Sequence, residues 1–257
     1  MAVRLETLDA IGHIVLDRPP ANSYDRAFME ELDAAIEAAR NDDAVKAIVV
    51  RSASEKFFSA GADVSVFAKS DLDTQNAFVV CANEAMEKFE STPKVVVAAI
   101  NGHCLGGGLE IALCCDFRIA AEGTYKIGLP EVSLGLLPGT GGTQRLPRLI
   151  GRQKALGLML RGTTLSPQEA RDAGIVDEVV PAAELQTRAA ALAQEFASGP
   201  SYARGQIKYA AVQGFGVSLK EGLAIERAAL IRLFKSEDAR EGVKAFVEKR
   251  KPDYKGR

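Results

Sequence analysis

Along the first half of the chain, short apolar runs alternate with longer stretches in which apolar residues recur every three or four positions. "HIVLDR" precedes Asp25 to Arg40, "KAIVVRS" precedes Asp71 to Glu90, and "KVVVAAI" precedes Gly107 to Cys115. A short apolar run bounded by turn residues suits a strand, and a 3.6-residue period suits an amphipathic helix. Phe28, Leu32, Ile36 and Ala39 share one helix face, as do Phe78, Ala82, Ala85 and Phe89. The repeated strand-then-helix order predicts an α/β fold with parallel strands. Thr92-Pro93 separates the second helix from the third strand, because proline cannot continue a helix interior.

Beyond about Gly139 the strand pattern is expected to stop and helices to take over. "SPQEARDAG" carries both ends of a helix, with Ser166 as N-cap, Pro167 in the first turn, Glu169 completing a capping box and Gly174 as the stop. "SLKE", Ser218 to Glu221, repeats the capping box before a long helix through Phe234. The pattern divides the chain into a core, 1–197, and a wholly helical region, 198–257, suited to pack on that core or on another subunit.

Composition narrows the class. A length of 257 residues suits one large core with an appendage, since single cores stop growing near about 250–300 residues. With 32 basic and 34 acidic residues the net charge is −2, which leaves no footprint for DNA, RNA or an anionic membrane. Cys81, Cys104, Cys114 and Cys115 have no CxxC spacing and three lie in or beside apolar sequence, as reduced thiols of a cytoplasmic protein would. The N-terminal run lacks the basic and long apolar parts of a signal peptide, and no apolar run is long enough to span a bilayer.

Three stretches carry candidate chemistry. In "AINGHCLGGGLEIALCCDFRIA", Ala99 to Ala120, three glycines and then Glu110 follow a strand. Glycines at a helix start let backbone N–H groups approach an anion closely, although they equally serve helix–strand contact. A second apolar-flanked carboxylate, Glu131, stands in "IGLPEVSLGLLPGTGGTQRL". Two carboxyls in apolar surroundings can split their pKa values, one giving a proton while the other takes one, but each is also an ordinary helix-start glutamate. "KFFSAGADVSVF", Lys56 to Phe67, offers a turn whose amides suit the second donor of an oxyanion site. With only His13 and His103, no histidine-based metal site or triad forms, and "EVSLG" lacks the first glycine of a nucleophile elbow around Ser133. Asp116 suits a buried structural carboxylate.

Taken together and in order, "FSAGAD", "NGHCLGGGLEIALCCDFRIA", "LPEVSLGLLPGTGGTQRLPRLIG" and "FKSEDAREGVKAFVEKRKPDY" resemble the crotonase superfamily, in its enoyl-CoA hydratase branch, over nearly the whole chain. The resemblance implies a right-handed spiral of ββα turns and a helical C-terminal region that trimerises, often into a hexamer built of two trimers. It implies an acyl-CoA thioester substrate, coenzyme A entering only as part of that substrate, with no prosthetic group and no metal. Ala62 and Gly107 match the positions of the two oxyanion amides. Glu110 matches the residue that activates water, and Glu131 the one that gives a proton to C2. Ala60 and Val64 match backbone positions around the adenine, and Phe246 and Lys249 match tail residues that reach the coenzyme A of a neighbouring subunit. The activity implied is hydration of a trans-2-enoyl-CoA to a 3-hydroxyacyl-CoA, as in fatty acid β-oxidation or related acyl-CoA breakdown.

Three departures from the family pattern stand out. "RPPANSYD", Arg18 to Asp25, is one residue short and has Pro20 where a lysine often contacts coenzyme A. Ser65 replaces another lysine, and one extra residue lies between Asp116 and Glu131, most simply in "AEGTY". Alternative activities on the same motifs are hydration of a branched or cyclic enoyl-CoA, double-bond isomerisation, and a non-catalytic scaffold for acyl-CoA or RNA. Near-neutral charge and the presence of both glutamates weigh against the scaffold.

Overall fold

The computed structural model of the chain describes residues 1–256. Strands β1 (Val3–Leu8) and β2 (Ile11–Leu16) form an antiparallel hairpin. Its two-residue turn, Asp9 and Ala10, has φ of 48° and 66°, the hand that matches the twist of the flanking strands. From β2 onward the large sheet is parallel: β3 (Ala47–Ser52), β5 (Val95–Ile100), β7 (Phe117–Ala121) and β10 (Glu178–Val180) follow in that order. A smaller sheet holds β4 (Phe57–Ser59), β6 (His103–Leu105), β8 (Ile127–Gly128) and β9 (Thr164–Leu165). Three successive turns, β3–β4, β5–β6 and β7–β8, each give one strand to the large sheet, one to the small sheet and then helix, which is the ββα spiral.

The helices sit where the periodicity puts them. Helix α1 (Arg26–Asn41) is capped by Asp25, whose carboxylate accepts from Phe28 N–H at 3.0 Å, and it buries Phe28, Leu32, Ile36 and Ala39. After the short α2 (Val64–Lys69), α3 (Leu72–Ser91) is capped by Asp71 and buries Phe78, Ala82, Ala85 and Phe89. All six residues of β5 are buried, as a central parallel strand covered on both faces requires. Helix α4 (Gly107–Leu113) is two residues shorter than its pattern, because Cys114 already takes the C-cap.

Strands do not stop at Gly139, contrary to the expectation. β9 pairs antiparallel with β8, and β10 extends the large sheet in register with β7. Two and three residues are too few to show a period, so tertiary pairing makes these strands rather than local pattern. Between and after them run α5 (Gly142–Ile150), α6 (Arg152–Arg161), α7 (Pro167–Ala173) and α8 (Leu185–Ala197). Ser166 and Glu169 form the expected capping box of α7.

The C-terminal region holds α9 (Ser201–Phe215), α10 (Leu219–Phe234) and α11 (Glu237–Glu248), but it is not wholly helical as expected, since residues 249–256 follow without helix. Lys208 on α9 fastens it to the core, its Nζ lying 2.7 Å from Asp116 and 3.1 Å from Lys94 O. Asp116 also accepts from Val96 N–H at 2.8 Å, so it is a structural carboxylate. No helix among the described residues is long and apolar enough to cross a membrane.

Candidate active site

Two backbone turns meet at the mouth of the small sheet. One, Ser59 to Asp63, leaves β4; the other, Gly106 to Gly108, leaves β6 and opens α4. Their approach is backbone to backbone, since a Cβ on Gly61 (φ +86°) would lie 2.7 Å from Gly107 N and 2.9 Å from Leu105 O. A Cβ on Gly108 would strike the Ser59 carbonyl. Only glycine allows such contact. Gly107 N–H, at the first position of α4, has no acceptor within its helix. Neither it nor Ala62 N–H donates to a protein acceptor among the described residues. Both residues line one cavity of about 820 Å³, together with Ala60, Val64, Glu110 and Glu131.

Asn22 anchors the segment that supports these turns. Fully buried, its side-chain amide donates to Ser52 Oγ at 2.8 Å and to Phe58 O at 3.0 Å, while its Oδ1 accepts from Arg18 N–H at 2.7 Å. The "RPPANSYD" run is thereby fixed against β4, and Tyr24 enters the cavity wall.

Glu110 and Glu131 meet opposite surroundings in that cavity. Glu110, 2 % exposed, accepts from Gly142 N–H at 2.7 Å, from Thr140 N–H at 2.8 Å and from the Thr140 hydroxyl. Burial pushes its pKa above the ordinary carboxylate range, and those donors and the Arg145 charge pull against the shift. Three donors and no acceptor suit an ionised carboxylate. Glu131 opens the 3₁₀ turn Glu131–Leu134, and its buried Oε2 has no hydrogen-bond partner among the described residues. Burial, helped by the Glu110 charge, pushes Glu131 up to about 7. A carboxyl at that value keeps a share of its protons near neutrality, beside a carboxylate held by three donors.

In the turn Ala121 to Tyr125 the Tyr125 hydroxyl donates to Ala121 O at 2.6 Å, and Glu131 lines the same cavity as Glu110. Phe246 and Lys249, at the end of α11, are exposed and line no part of that cavity in the single chain. Pro20 and Ser65 are exposed as well. His103 accepts from Lys126 N–H at 3.2 Å and lies outside the cavity. Thr140, Gly142 and Tyr24 had no role in the sequence reading. The "GTGG" run hints at a tight turn, but nothing local tells that its amides close on a carboxylate from another helix.

Comparison with known proteins agrees with this geometry. The family model for enoyl-CoA hydratase/isomerase matches residues 6–257. A probable enoyl-CoA hydratase of Rhizobium meliloti is 41 % identical over 254 residues, covering 98 % of this chain and 97 % of that protein. An enoyl-CoA isomerase/hydratase of Mycosarcoma maydis is 38 % identical, covering 97 % of this chain and 94 % of its own length. The solved structure of an enoyl-CoA hydratase from Geobacillus kaustophilus superposes with a TM-score of 0.96 at 43 % identity, over 100 % of this chain and 97 % of that one. Fold, cavity and sequence converge: the chain belongs to the enoyl-CoA hydratase/isomerase family of the crotonase superfamily.

Proposed function

We propose that the protein is an enoyl-CoA hydratase that adds water across the C2=C3 bond of a trans-2-enoyl-CoA to give a 3-hydroxyacyl-CoA. The observation that carries this reading is the pairing of an anchored carboxylate, Glu110, with a carboxyl poised near neutrality, Glu131, beside two undonated amides. Glu110 takes a proton from water as the oxygen bonds to C3. The C2=C3 π electrons shift toward the thioester, and its oxygen, now carrying negative charge, accepts from Ala62 N–H and Gly107 N–H. Glu131 then gives its proton to C2. Preorganised amides in a water-poor cavity lower such a barrier by several kcal/mol, and each acid–base group contributes on the order of 10²- to 10⁴-fold.

In the same reading, Ala60 and Val64 hold the adenine of coenzyme A, which takes part only as the carrier of the acyl group. Phe246 and Lys249 complete that site in a neighbouring chain, with 1–197 forming the catalytic core and 198–257 the region that trimerises. The apolar face of α10 and α11, where Phe234 is 68 % and Val247 74 % exposed, supports such an assembly.

The test is the ultraviolet absorbance of crotonyl-CoA mixed with the purified protein. Loss of the conjugated thioester band with 3-hydroxybutyryl-CoA as product is expected. An unchanged band with crotonyl-CoA and with longer, branched and cyclic 2-enoyl thioesters overturns the hydratase reading, and a gain of that band from a 3-enoyl-CoA identifies an isomerase instead.

A further inference from the structure

Tyr24 bridges the two backbone turns of the site. Its main chain brackets Ala62, with Tyr24 N–H donating to Gly61 O at 2.9 Å and Tyr24 O accepting from Asp63 N–H at 2.8 Å. Its ring, 1 % exposed, lies 6.1 Å from the Phe28 ring and 6.0 Å from the Phe78 ring. The hydroxyl at its tip rests against Gly107, where any Cβ would overlap it, and stands 3.4 Å from Thr140 Oγ1.

Counting protons orients this last contact. Thr140 has one hydroxyl proton and two neighbours, Glu110 Oε2 at short hydrogen-bond range and the Tyr24 hydroxyl farther off. An ionised carboxylate only accepts, so the Thr140 proton goes to Glu110 and the Thr140 lone pairs are left facing Tyr24. Tyr24 is therefore the donor. Burial and the nearby Glu110 charge raise the phenol's pKa well above its ordinary value, so that proton is not lost.

We propose that Tyr24 is a positioning residue: its hydroxyl fixes the Thr140 hydroxyl as a donor to Glu110 and, resting on Gly107, keeps that carboxylate in register with the amides of Gly107 and Ala62. The proposal rests on the reading of Glu110 as the base. A phenylalanine keeps the ring's place among Phe28 and Phe78 and removes only the donor. The other charged or titratable groups facing Glu110 are Arg145 from α5, Glu131 from its 3₁₀ turn and Cys114 at the C-cap of α4. Glu90 on α3 holds the Arg145 guanidinium at 2.8 Å, and Arg145 also donates to the Thr140 carbonyl at 3.0 Å, a main-chain acceptor that every variant below keeps.

The experiment pairs Tyr24→Phe with Thr140→Val and Thr140→Ser. Two readouts are taken: kcat and KM on crotonyl-CoA across pH, and the carboxyl ¹³C titration of glutamate-labelled protein, with the Glu110 signal assigned by its loss in Glu110→Gln. Tyr24→Phe is expected to lower kcat about five- to tenfold with KM held within about twofold, the loss of one hydrogen bond acting on a charged group through a relay. It is also expected to move the Glu110 midpoint and the acid limb of kcat upward together. Thr140→Val does more, Thr140→Ser restores both readouts, and adding Tyr24→Phe to Thr140→Val changes nothing further. A Tyr24→Phe protein with wild-type kcat and an unmoved Glu110 midpoint overturns the proposal, as does an effect fully additive with Thr140→Val. Lack of turnover by the wild type sinks the hydratase reading alone, since the titration still decides whether Tyr24 acts through Thr140 on Glu110.

Discussion

Glu110 and Glu131 face the same cavity, yet three hydrogen bonds converge on the first while Oε2 of the second has no donor among the described residues. Chemically equal side chains thus become unequal through what surrounds them. Glu110→Gln can keep the fold, since its amide oxygen still accepts from Thr140 and Gly142 N–H and its NH₂ donates to the Thr140 hydroxyl. Each of Glu110→Gln and Glu131→Gln is expected to lower kcat about 10²- to 10⁴-fold with little change in KM. Steady-state kinetics on crotonyl-CoA check this, and near wild-type turnover in either variant sinks the two-carboxyl mechanism.

The pH profile follows from the same inequality. Glu131 must hold a proton to serve as acid, and its pKa near 7 means that the proton is present below that pH and lost above it. The basic limb of kcat/KM is expected near pH 7, with the acid limb set by Glu110. Stability carries the matching sign. A carboxyl raised from 4.5 to about 7 in the folded protein contributes stability below pH 4.5 that is lost as pH rises through 7. Glu131→Gln is therefore expected to be more stable than the wild type at pH 8, by about 1–2 kcal/mol after allowance for solvent screening, and no more stable at pH 4. Urea unfolding at the two pH values measures the difference.

Gly107→Ala addresses the amide pair. The new methyl overlaps the Tyr24 hydroxyl, so either the ring or the start of α4 must shift, and the Gly107 N–H moves away from its partner at Ala62. Loss of one oxyanion donor costs about 10²- to 10³-fold in kcat. Overpacking a buried site costs about 1–3 kcal/mol. Kinetics alongside thermal unfolding separate the two effects, and wild-type kcat in a folded Gly107→Ala protein refutes the role given to this amide.

Strands β2, β3 and β5 and helices α1, α3 and α7 were legible in the sequence because each is long enough to show a period or carries its own cap, as Asp25 does for α1 and Ser166 with Glu169 for α7. β9 and β10 were not, because pairing with β8 and β7 alone makes them strands. In the site, Glu110 and the glycines announced themselves as polar or flexible residues in an apolar run. Thr140 and Tyr24 did not, because their significance lies in contacts across more than a hundred positions of chain, from Tyr24 to Thr140.

Lys208 and Asp116 give a stability test remote from the cavity. The ammonium is buried and held by Asp116, Phe89 O and Lys94 O, and the Asp116 carboxylate has lost most of its water. Lys208→Met leaves that carboxylate without its cation, and breaking one side of a buried pair costs about 3–5 kcal/mol. The double variant Lys208→Met/Asp116→Asn is expected to recover part of that loss. Equal unfolding midpoints for the wild type and the single variant in urea rule out the pair as what fastens α9 to the core.

The C-terminal helices make the last prediction, because their exposed face is hard to reconcile with an isolated chain. Phe234, Val243, Phe246 and Val247 are 68 %, 68 %, 85 % and 74 % exposed, all on α10 and α11, an apolar cluster suited to contact with another chain. If the cover is a second and third copy, light scattering is expected to give three or six times the chain mass of 27.4 kDa. Phe234→Asp with Val247→Asp places charge on that face and is expected to yield monomers. In the function proposed above, where Phe246 and Lys249 reach the coenzyme A of a neighbour, it is also expected to raise KM for crotonyl-CoA, since neither residue lines its own chain's cavity. The two effects should then appear together over the same range of protein concentration. Monomers with an unchanged KM would separate assembly from substrate binding and remove Phe246 and Lys249 from the site, whereas a monomeric wild type would leave this face to a partner other than its own kind.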